Sequence, residues 1–276
     1  MKRKRTDRKR AKARHKAASV SHLKVEDLLA AIPALIHRQK YELAIKACQR
    51  VLQEKKSTTQ QKAEAYGYIA TAEGMQQNFN KAYKAACQAT ELAPDDSSFW
   101  YNRGLTALLT LRIGHSVRAL ERAEAANTNP SLTTQIADLL TRSREAVKTE
   151  LAIRNEGFTL DDLIEQEKLF HQGTELMSQS RLEEAKTMFQ KSIAMSDCLP
   201  QPWGNIGAIL AMQGHHDEAE SALRRALELE PTYEYALENL AVLEKMRKEG
   251  KHLAEGMIDM EPLKGKVNIS INLTED

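Results

Sequence analysis

The sequence has few of the residues that shape β-rich, disulfide-bonded and membrane-spanning proteins. Aromatic residues make up 5% of its 276 positions, and it holds 12 glycines, 7 prolines and 3 cysteines. No run of about 18 apolar residues is present, so the sequence predicts no transmembrane helix. Cys48, Cys87 and Cys198 are scattered and form no CxxC pair. This usage argues against a disulfide framework and favours a reducing compartment.

Motifs that carry catalysis are also missing. The chain has no Gly-rich phosphate-binding loop, no GxSxG and no HExxH. His215, His216 and Asp217 adjoin in "GHHDEAE", but this stretch is predicted as a turn, and adjacent side chains point in different directions. We therefore predict that the protein is not an enzyme and has no catalytic residue, no metal site and no cofactor.

The composition strongly favours helix. Ala, Leu, Glu, Lys, Gln and Arg dominate, and all of these are good helix formers. With 42% hydrophobic and 28% charged residues, the chain has enough apolar side chains for a long core and enough charge for a solvated surface. An all-α protein of cytoplasmic character is therefore predicted.

Positive charge is concentrated at the N-terminus. Residues 1–16 hold ten Lys/Arg and one Asp, whereas the rest of the chain holds 30 Lys/Arg and 37 Asp/Glu. The basic side chains of this arm are Lys2, Arg3, Lys4, Arg5, Arg8, Lys9, Arg10, Lys12, Arg14 and Lys16. Three interpretations stay open: a nuclear import signal if the source is a eukaryote, a phosphate contact to nucleic acid or the ribosome, and a solvated tail. The arm has no aromatic residues to stack on bases.

A 34-residue period runs through the middle of the chain. Gly173 in "LFHQG" lies one period before Gly207 in "WGNIG", and Ala70 lies one period before Gly104. Twelve positions after each of these four, another small residue follows: Ala82, Ser116, Ala185 and Ala219. Each period therefore reads as two helices joined by a turn, with small residues where the helices cross closely.

These periods resemble the tetratricopeptide repeat family, whose pattern is W-x2-L-G-x2-Y…A-x3-F…P. "WGNIGAIL" and "AKTMF" supply the two halves of the pattern, and matches in phase cover residues 63–96, 97–130, 166–199 and 200–233. A partial unit contains Ala44 and Cys48, and Pro33 is expected to kink its first helix. The resemblance implies an all-α, right-handed superhelical solenoid of antiparallel helix pairs.

The chain is predicted to have five parts. They are a disordered basic arm (1–22), a first repeat block (23–130), an irregular helical connector (131–157), a second block with a capping helix (158–248) and a tail (249–276). The connector is expected to be one long helix that ends at Glu156-Gly157, and Thr159 with Asp162 to cap the next helix. In the tail, "KVNISINL" alternates apolar and polar residues like a short strand. Four interpretations stay open: the strand pairs with a second copy in a homodimer, pairs with another protein, lies in the chain's own groove, or is a frayed tail without a partner.

The resemblance also implies a concave groove, lined by the first helix of each repeat, that receives a peptide. On the helical period this face is predicted to contain Tyr68, Tyr101, Asn102, Phe170, His171, Thr174, Met177, Asn205 and Asn239. Asn102, Asn205 and Asn239 fall at one repeat position, and an amide both donates to and accepts from a peptide backbone. Two interpretations stay open: the three residues form a ladder of hydrogen bonds to a peptide backbone, or asparagine is simply common at this position of the family consensus.

The sequence thus predicts a scaffold or adaptor that binds a peptide segment of a protein partner. A nucleic-acid-associated or ribosome-associated protein anchored by its arm is the alternative from another class. A regulatory subunit or chaperone of a particular assembly is a third. No membrane partner is expected.

Overall fold

The computed structural model describes residues 24–249, and throughout this range the chain is helical, with turns between the helices and no strand. The basic arm and residues 250–276, with the predicted strand, lie outside the described residues. The prediction of an all-α fold built from helix pairs is confirmed. The helices of the described range are α1 (Val25–His37), α2 (Tyr41–Gln53), α3 (Thr59–Met75), α4 (Phe79–Leu92), α5 (Ser97–Leu109), α6 (Ile113–Ala126), α7 (Pro130–Ala152), α8 (Leu160–Ser178), α9 (Leu182–Met195), α10 (Pro200–Met212), α11 (His216–Leu229) and α12 (Glu234–Glu249).

The same left-handed turn joins the two helices of five hairpins. In each hairpin one residue with φ between 56° and 81° lies two positions before the second helix. These residues are Gln39, Gln77, Leu111, Ser180 and Gly214. Around the last of them, the N–H of Gly214 donates to Ala211 and that of His215 to Leu210, which is the usual way to close a helix before a left-handed residue. The turn therefore follows the repeat register rather than the presence of glycine.

The described residues divide into two compact units. Unit 1 contains residues 24–110 and 115–142, and unit 2 contains residues 111–114 and 143–249. In unit 1, α1 continues past the exposed Pro33 to His37, so the proline does not end this helix. Ile32 of α1 packs with Cys48 and Val51 of α2 in a fully buried cluster.

Close helix crossings in unit 1 occur at the predicted small residues. A Cβ atom placed on Gly104 would lie 2.5 Å from Cγ of Leu120, which is fully buried. Ser116 is the small residue twelve positions after Gly104, and its hydroxyl donates to the Gly104 carbonyl at 2.8 Å. This hydrogen bond stabilises the same crossing of α5 and α6. These contacts bring α5 and α6 together as a repeat requires.

Unit 2 has the same construction. A Cβ atom on Gly173 would lie 2.6 Å from the ring of Phe189, and one on Gly207 would lie 2.6 Å from Leu223. Phe189 and Leu223 are both fully buried. The repeat period thus marks the places where the backbone of a first helix approaches a large side chain of its second helix.

The start of α8 was predicted correctly. The hydroxyl of Thr159 accepts from the N–H of Asp162, and the Asp162 carboxylate accepts from the N–H of Thr159, which forms a capping box. The side-chain and backbone hydrogen bonds from Thr159 lower the pKa of Asp162. The end of α7 differs from prediction, because this helix stops at Ala152 rather than at Glu156. Gly157 takes φ +83° within the connection that follows.

A buried polar network occupies that connection in unit 2. The side chain of Arg154 is 2% exposed, pairs with Glu150 at 2.8 Å and donates from Nε to Oε1 of Gln166 at 2.8 Å. Gln166 in turn donates to the carbonyls of Ser192 and Ser196, each at 3.0 Å. Since a buried guanidinium is stable only when it is paired, this network ties α7, α8 and α9 together.

Thiol chemistry provides a first test of the core. Cys48 is fully buried, and burial raises the pKa of its thiol to about 12. Because the thiolate is the reactive form, Cys48 is expected to resist alkylation at neutral pH until the protein unfolds. Mass spectrometry after timed treatment of the native protein with iodoacetamide would measure this. The half-buried Cys198 is the internal control and should react first. Equal rates for the two cysteines would contradict the packing of α2.

Candidate functional site

The most open part of the predicted groove lies in unit 1, on α3 and α5. Tyr68 on α3 and Tyr101 and Asn102 on α5 are all half-buried, and the two helices contact each other. By helical spacing, Thr71 and Met75 extend the face along α3 and Leu105 extends it along α5. Thr71 is exposed, Leu105 is half-buried and Met75 is 50% exposed. We call these six residues the α3–α5 face.

Partial burial keeps the two phenols of this face neutral. Burial raises the pKa of Tyr101, and burial, followed by the charges of Glu64 and Cys48, raises that of Tyr68. Both hydroxyl groups therefore stay protonated far above neutral pH and are available as hydrogen-bond donors. The rings add apolar surface with a polar tip, a combination enriched at protein interfaces.

Asn102 follows Tyr101 on α5 and is half-buried. Its backbone carbonyl accepts from the hydroxyl of Thr106 at 2.7 Å, which belongs to the internal structure of α5. Arg103 points elsewhere: its guanidinium donates to Thr90 and lies 5.2 Å from the Trp100 ring centroid. The six residues of the α3–α5 face thus supply amide, phenol, hydroxyl, thioether and aliphatic groups, and the carboxylate of Glu64, one helical turn before Tyr68, adds a negative charge beside them.

Several predicted groove residues of unit 2 are buried instead, which corrects the prediction. Phe170 is 7% exposed and Met177 is 3% exposed, and both belong to the core cluster around Phe189. The rings of Phe170 and Phe189 lie 5.6 Å apart, and those of Phe170 and His171 lie 5.5 Å apart, edge to face. These aromatic side chains fill the unit rather than line an open groove.

The asparagines of unit 2 are covered as well. Asn205 is 5% exposed and Asn239 is 4% exposed, and His171 at the same repeat position is 9% exposed. The Nδ2 atom of Asn239 is enclosed without a hydrogen-bond partner. Thr174 is half-buried, and its hydroxyl donates to the carbonyl of His171 at 2.9 Å. The proposed ladder of asparagines therefore reduces to one half-exposed member, Asn102.

Unit 2 also contains a small cavity, of about 60 Å³, beside the Arg154 network. Its walls include Leu163, Phe170 and Leu199, and its polar lining includes Ser192 and Gln201, whose Oγ and Oε1 atoms have no hydrogen-bond partner. A cavity of this size with such atoms fits a few ordered waters rather than a peptide.

The histidine turn holds no metal-binding arrangement. His215 precedes α11 and lies 3.7 Å from Glu218, and both side chains are largely exposed. Within residues 24–249, no three His, Cys, Asp or Glu side chains come together in a group that could hold a metal. None of the helices in this same range combines the length and apolar character needed to cross a bilayer.

Met75 is the residue that the sequence interpretation missed. It lies seven positions after Tyr68, two helical turns along the same side of α3, and it is among the most exposed large apolar residues described. That spacing was available in the sequence, but methionine is more often a core residue, so the pattern alone did not select it.

An array of helix hairpins that cross at small residues, with one open first-helix face, defines a repeat scaffold for protein–protein interaction. Residues 200–233 match the family model described as tetratricopeptide repeat. This stretch of the chain is therefore a tetratricopeptide repeat, and the resemblance predicted from the repeat pattern is confirmed there.

Curated relatives match over a limited stretch. Protein O-mannosyl-transferase TMTC1 of Mus musculus is 26% identical over 114 residues, and that of Homo sapiens is 28% identical over 95 residues. These alignments cover 41% and 34% of this chain but only 12% and 11% of the relatives. The chain thus spans a small part of the relatives' length, and the transferase activity in their name is a property of those proteins.

Solved structures with similar helices share little sequence. The P58(IPK) TPR domain is 14% identical, with a TM-score of 0.44 and coverage of 82% of this chain and 66% of that one. The TPR2AB-domain:pHSP90-complex of yeast Sti1 is 16% identical, with a TM-score of 0.39 and coverage of 82% and 84%. YrrB, described as a TPR protein with an unusual peptide-binding site, is 16% identical, with a TM-score of 0.36 and coverage of 82% and 97%.

Proposed function

We propose that this protein binds an extended segment of a partner protein across the α3–α5 face of unit 1. The observation that carries this proposal is the difference between the two units at equivalent repeat positions. Tyr68 and Asn102 stay half-exposed, whereas His171, Asn205 and Asn239 are buried. A ligand needs accessible groups, and unit 1 offers them.

The chemistry of the face favours recognition of backbone and apolar side chains. Asn102 supplies an amide that donates to one peptide group and accepts from another. Tyr68 and Tyr101 supply rings for apolar side chains, and Met75 supplies a thioether that adapts to different shapes. Because no Lys or Arg belongs to the face, an anionic C-terminus would find no counter-charge there.

Removing two groups of this face should weaken peptide binding. The double variant Tyr101→Ala, Asn102→Ala loses a backbone hydrogen bond and an aromatic contact, so we expect a loss of about 2 kcal/mol, roughly thirtyfold in affinity. The probes would be peptides selected from a random-peptide display library on the full chain. Titration calorimetry with wild-type and variant protein gives the two affinities.

Asn205→Ala is the matched control, because Asn205 has the same repeat position as Asn102 but is buried in unit 2. Its affinity for the selected peptides should stay within about twofold of wild type, a change below about 0.5 kcal/mol. Circular dichroism confirms that each variant is folded. An unchanged affinity in the double variant, or an equal loss in Asn205→Ala, would refute a site on the α3–α5 face.

A second candidate function rests on the charge of the N-terminal arm. Ten basic side chains in residues 1–16, opposite a body with an acidic excess, suit attachment to the phosphate backbone of a nucleic acid or a ribosome. The repeats would then recruit a protein to that anchored site. The dependence of binding on salt, treated in the Discussion, tests this function separately from peptide binding.

A further inference from the structure

One end of the α3–α5 face is negatively charged. Glu64 is half-buried on α3, four positions before Tyr68, and residues four apart are neighbours on the surface of a helix. Burial and, second to it, the charge of Glu64 raise the pKa of the Tyr68 hydroxyl. Thr71, Leu105 and Met75, at the other end of the face, are uncharged. The surface therefore changes from acidic to apolar along α3.

The Glu64 carboxylate is available to a cation from a partner. Gln60 donates to its Oε1 atom at 3.4 Å, which is long for a hydrogen bond. No Lys, Arg or His within residues 24–249 forms an ion pair with this carboxylate. The nearest basic residue along α3, Lys62, lies two positions away, about 200° around the helix. A partner's cation would therefore compete with no cation of unit 1 for Glu64.

Further carboxylates lie at the same end of the face. An open hollow of about 600 Å³ at the start of α3 and α5 is lined in part by Gln60, Asp95, Asp96 and Ser98. Asp96 caps α5 by accepting from the N–H of Ser98 at 2.9 Å, and Asp95 is exposed. None of the described residues that line this hollow is basic. Since Gln60 both lines the hollow and contacts Glu64, the hollow adjoins the acidic end of the face.

We propose that the segment bound by the α3–α5 face carries a Lys or Arg that pairs with Glu64 and an apolar residue that contacts Met75. This inference rests on the proposed function and names the class of segment that the face selects. A basic side chain suits the acidic end because its apolar stem packs on a phenol ring while its charge reaches the carboxylate. An acidic residue in the same place would be repelled by Glu64 and by the two aspartates of the hollow.

The length of the face sets the spacing of the two anchors. Eleven positions separate Glu64 from Met75 on α3, which corresponds to about 16 Å along the helix axis. An extended segment covers this distance with roughly five residues. The basic and the apolar residue should therefore stand about five positions apart in the partner's sequence.

Charge exchange between protein and peptide tests the pairing. The probes are a peptide selected on the full chain from the random-peptide library and two synthetic derivatives, in which its basic residue is replaced by Gln or by Glu. With wild-type protein, the Gln derivative should bind about fivefold more weakly than the parent peptide, and the Glu derivative more weakly still. With Glu64→Lys this order should reverse, so that the Glu derivative binds best. Titration calorimetry gives the six affinities.

Glu42→Lys is the matched control, because Glu42 is exposed on α2, a second helix outside the face. It changes the net charge of the protein by the same amount as Glu64→Lys, and the N-terminal arm is present in every chain compared. The order of the three peptides should stay that of wild type, with each affinity within about twofold. Circular dichroism verifies that both variants are folded.

The outcomes separate this inference from the proposed function. Selected peptides without Lys or Arg, an unchanged order in Glu64→Lys, or an equal reversal in Glu42→Lys would overturn the pairing with Glu64. The parent peptide is also measured on the Tyr101→Ala, Asn102→Ala variant. A loss of affinity there without any effect of Glu64 keeps the peptide site and removes the basic anchor, whereas no loss there refutes the peptide site itself.

Discussion

Gly207→Leu is expected to lower the free energy of unfolding by about 2–3 kcal/mol, the upper part of the range for overpacked cores. The Cβ atom alone would lie 2.6 Å from Cγ of Leu223 and 3.2 Å from the Ala219 carbonyl oxygen. Leu223 is fully buried and has no outward path, so α10 and α11 must move apart to admit the new side chain. The gain of about 1 kcal/mol in helix propensity offsets only part of this cost. Urea denaturation followed by circular dichroism measures the difference.

Gly74→Ala is the matched control for this substitution. A Cβ at Gly74 meets only Cβ of Ala82, at an ordinary contact distance of 3.9 Å, so alanine fits without a shift. Here the helix propensity acts alone, and the variant should be more stable than wild type by about 0.5–1 kcal/mol. If the repeat register is correct, the free energy of unfolding falls for Gly207→Leu and rises for Gly74→Ala. A transition midpoint for Gly207→Leu equal to that of wild type would show that the register is wrong.

Binding through the arm should depend very steeply on salt. Each Lys or Arg that contacts a phosphate releases counterions, so the logarithm of the affinity falls in proportion to the logarithm of the salt concentration. With about six contacts, an increase from about 50 to 200 mM salt should cost on the order of a thousandfold in affinity for duplex DNA or structured RNA. Fluorescence anisotropy with labelled nucleic acids of different sequence measures the slope, which should vary little with sequence.

Deletion of residues 1–16 separates the arm from the repeats in this experiment. The shortened chain should lose the steep slope, because ten of the protein's 40 basic residues are removed and the remainder has an acidic excess. Its helix content should stay the same, since a run this charged does not bury enough surface to fold alone. An identical slope in the shortened chain would place the contact on the repeats. No binding by the full chain at low salt would refute the second candidate function.

The hairpins were predictable because the sequence repeats the contacts that form them. Gly104 and Gly207 each meet a large residue sixteen positions later, so one period predicts the crossing in different repeats. The left-handed turns were not predictable in the same way, since Leu111 and Ser180 occupy them without the glycine that normally signals such a backbone. There the packing of the two helices determines the conformation.

The main error of the sequence prediction concerned how exposed the groove residues are, and this error has a physical cause. One repeat position is shared by Tyr68, Asn102, His171 and Asn205. The 34-residue period therefore predicts the same exposure for all four residues. Whether each is accessible depends on the size of side chains on neighbouring helices, and in unit 2 Phe170 and Phe189 fill the space. Periodicity predicts which side of a helix a residue lies on, but burial depends on packing between helices.

The central claim is that a protein segment binds on the α3–α5 face, and backbone amide NMR of the full chain with a library-selected peptide tests it most directly. Upon saturation with the peptide, the largest chemical-shift changes should fall on residues 66–75 of α3 and 100–109 of α5. Those of α8 and α10 should change little, because Phe170 and Asn205 are already buried there. Chemical-shift changes centred on α8, α10 and α12 would contradict this claim and would indicate that the peptide binds to unit 2.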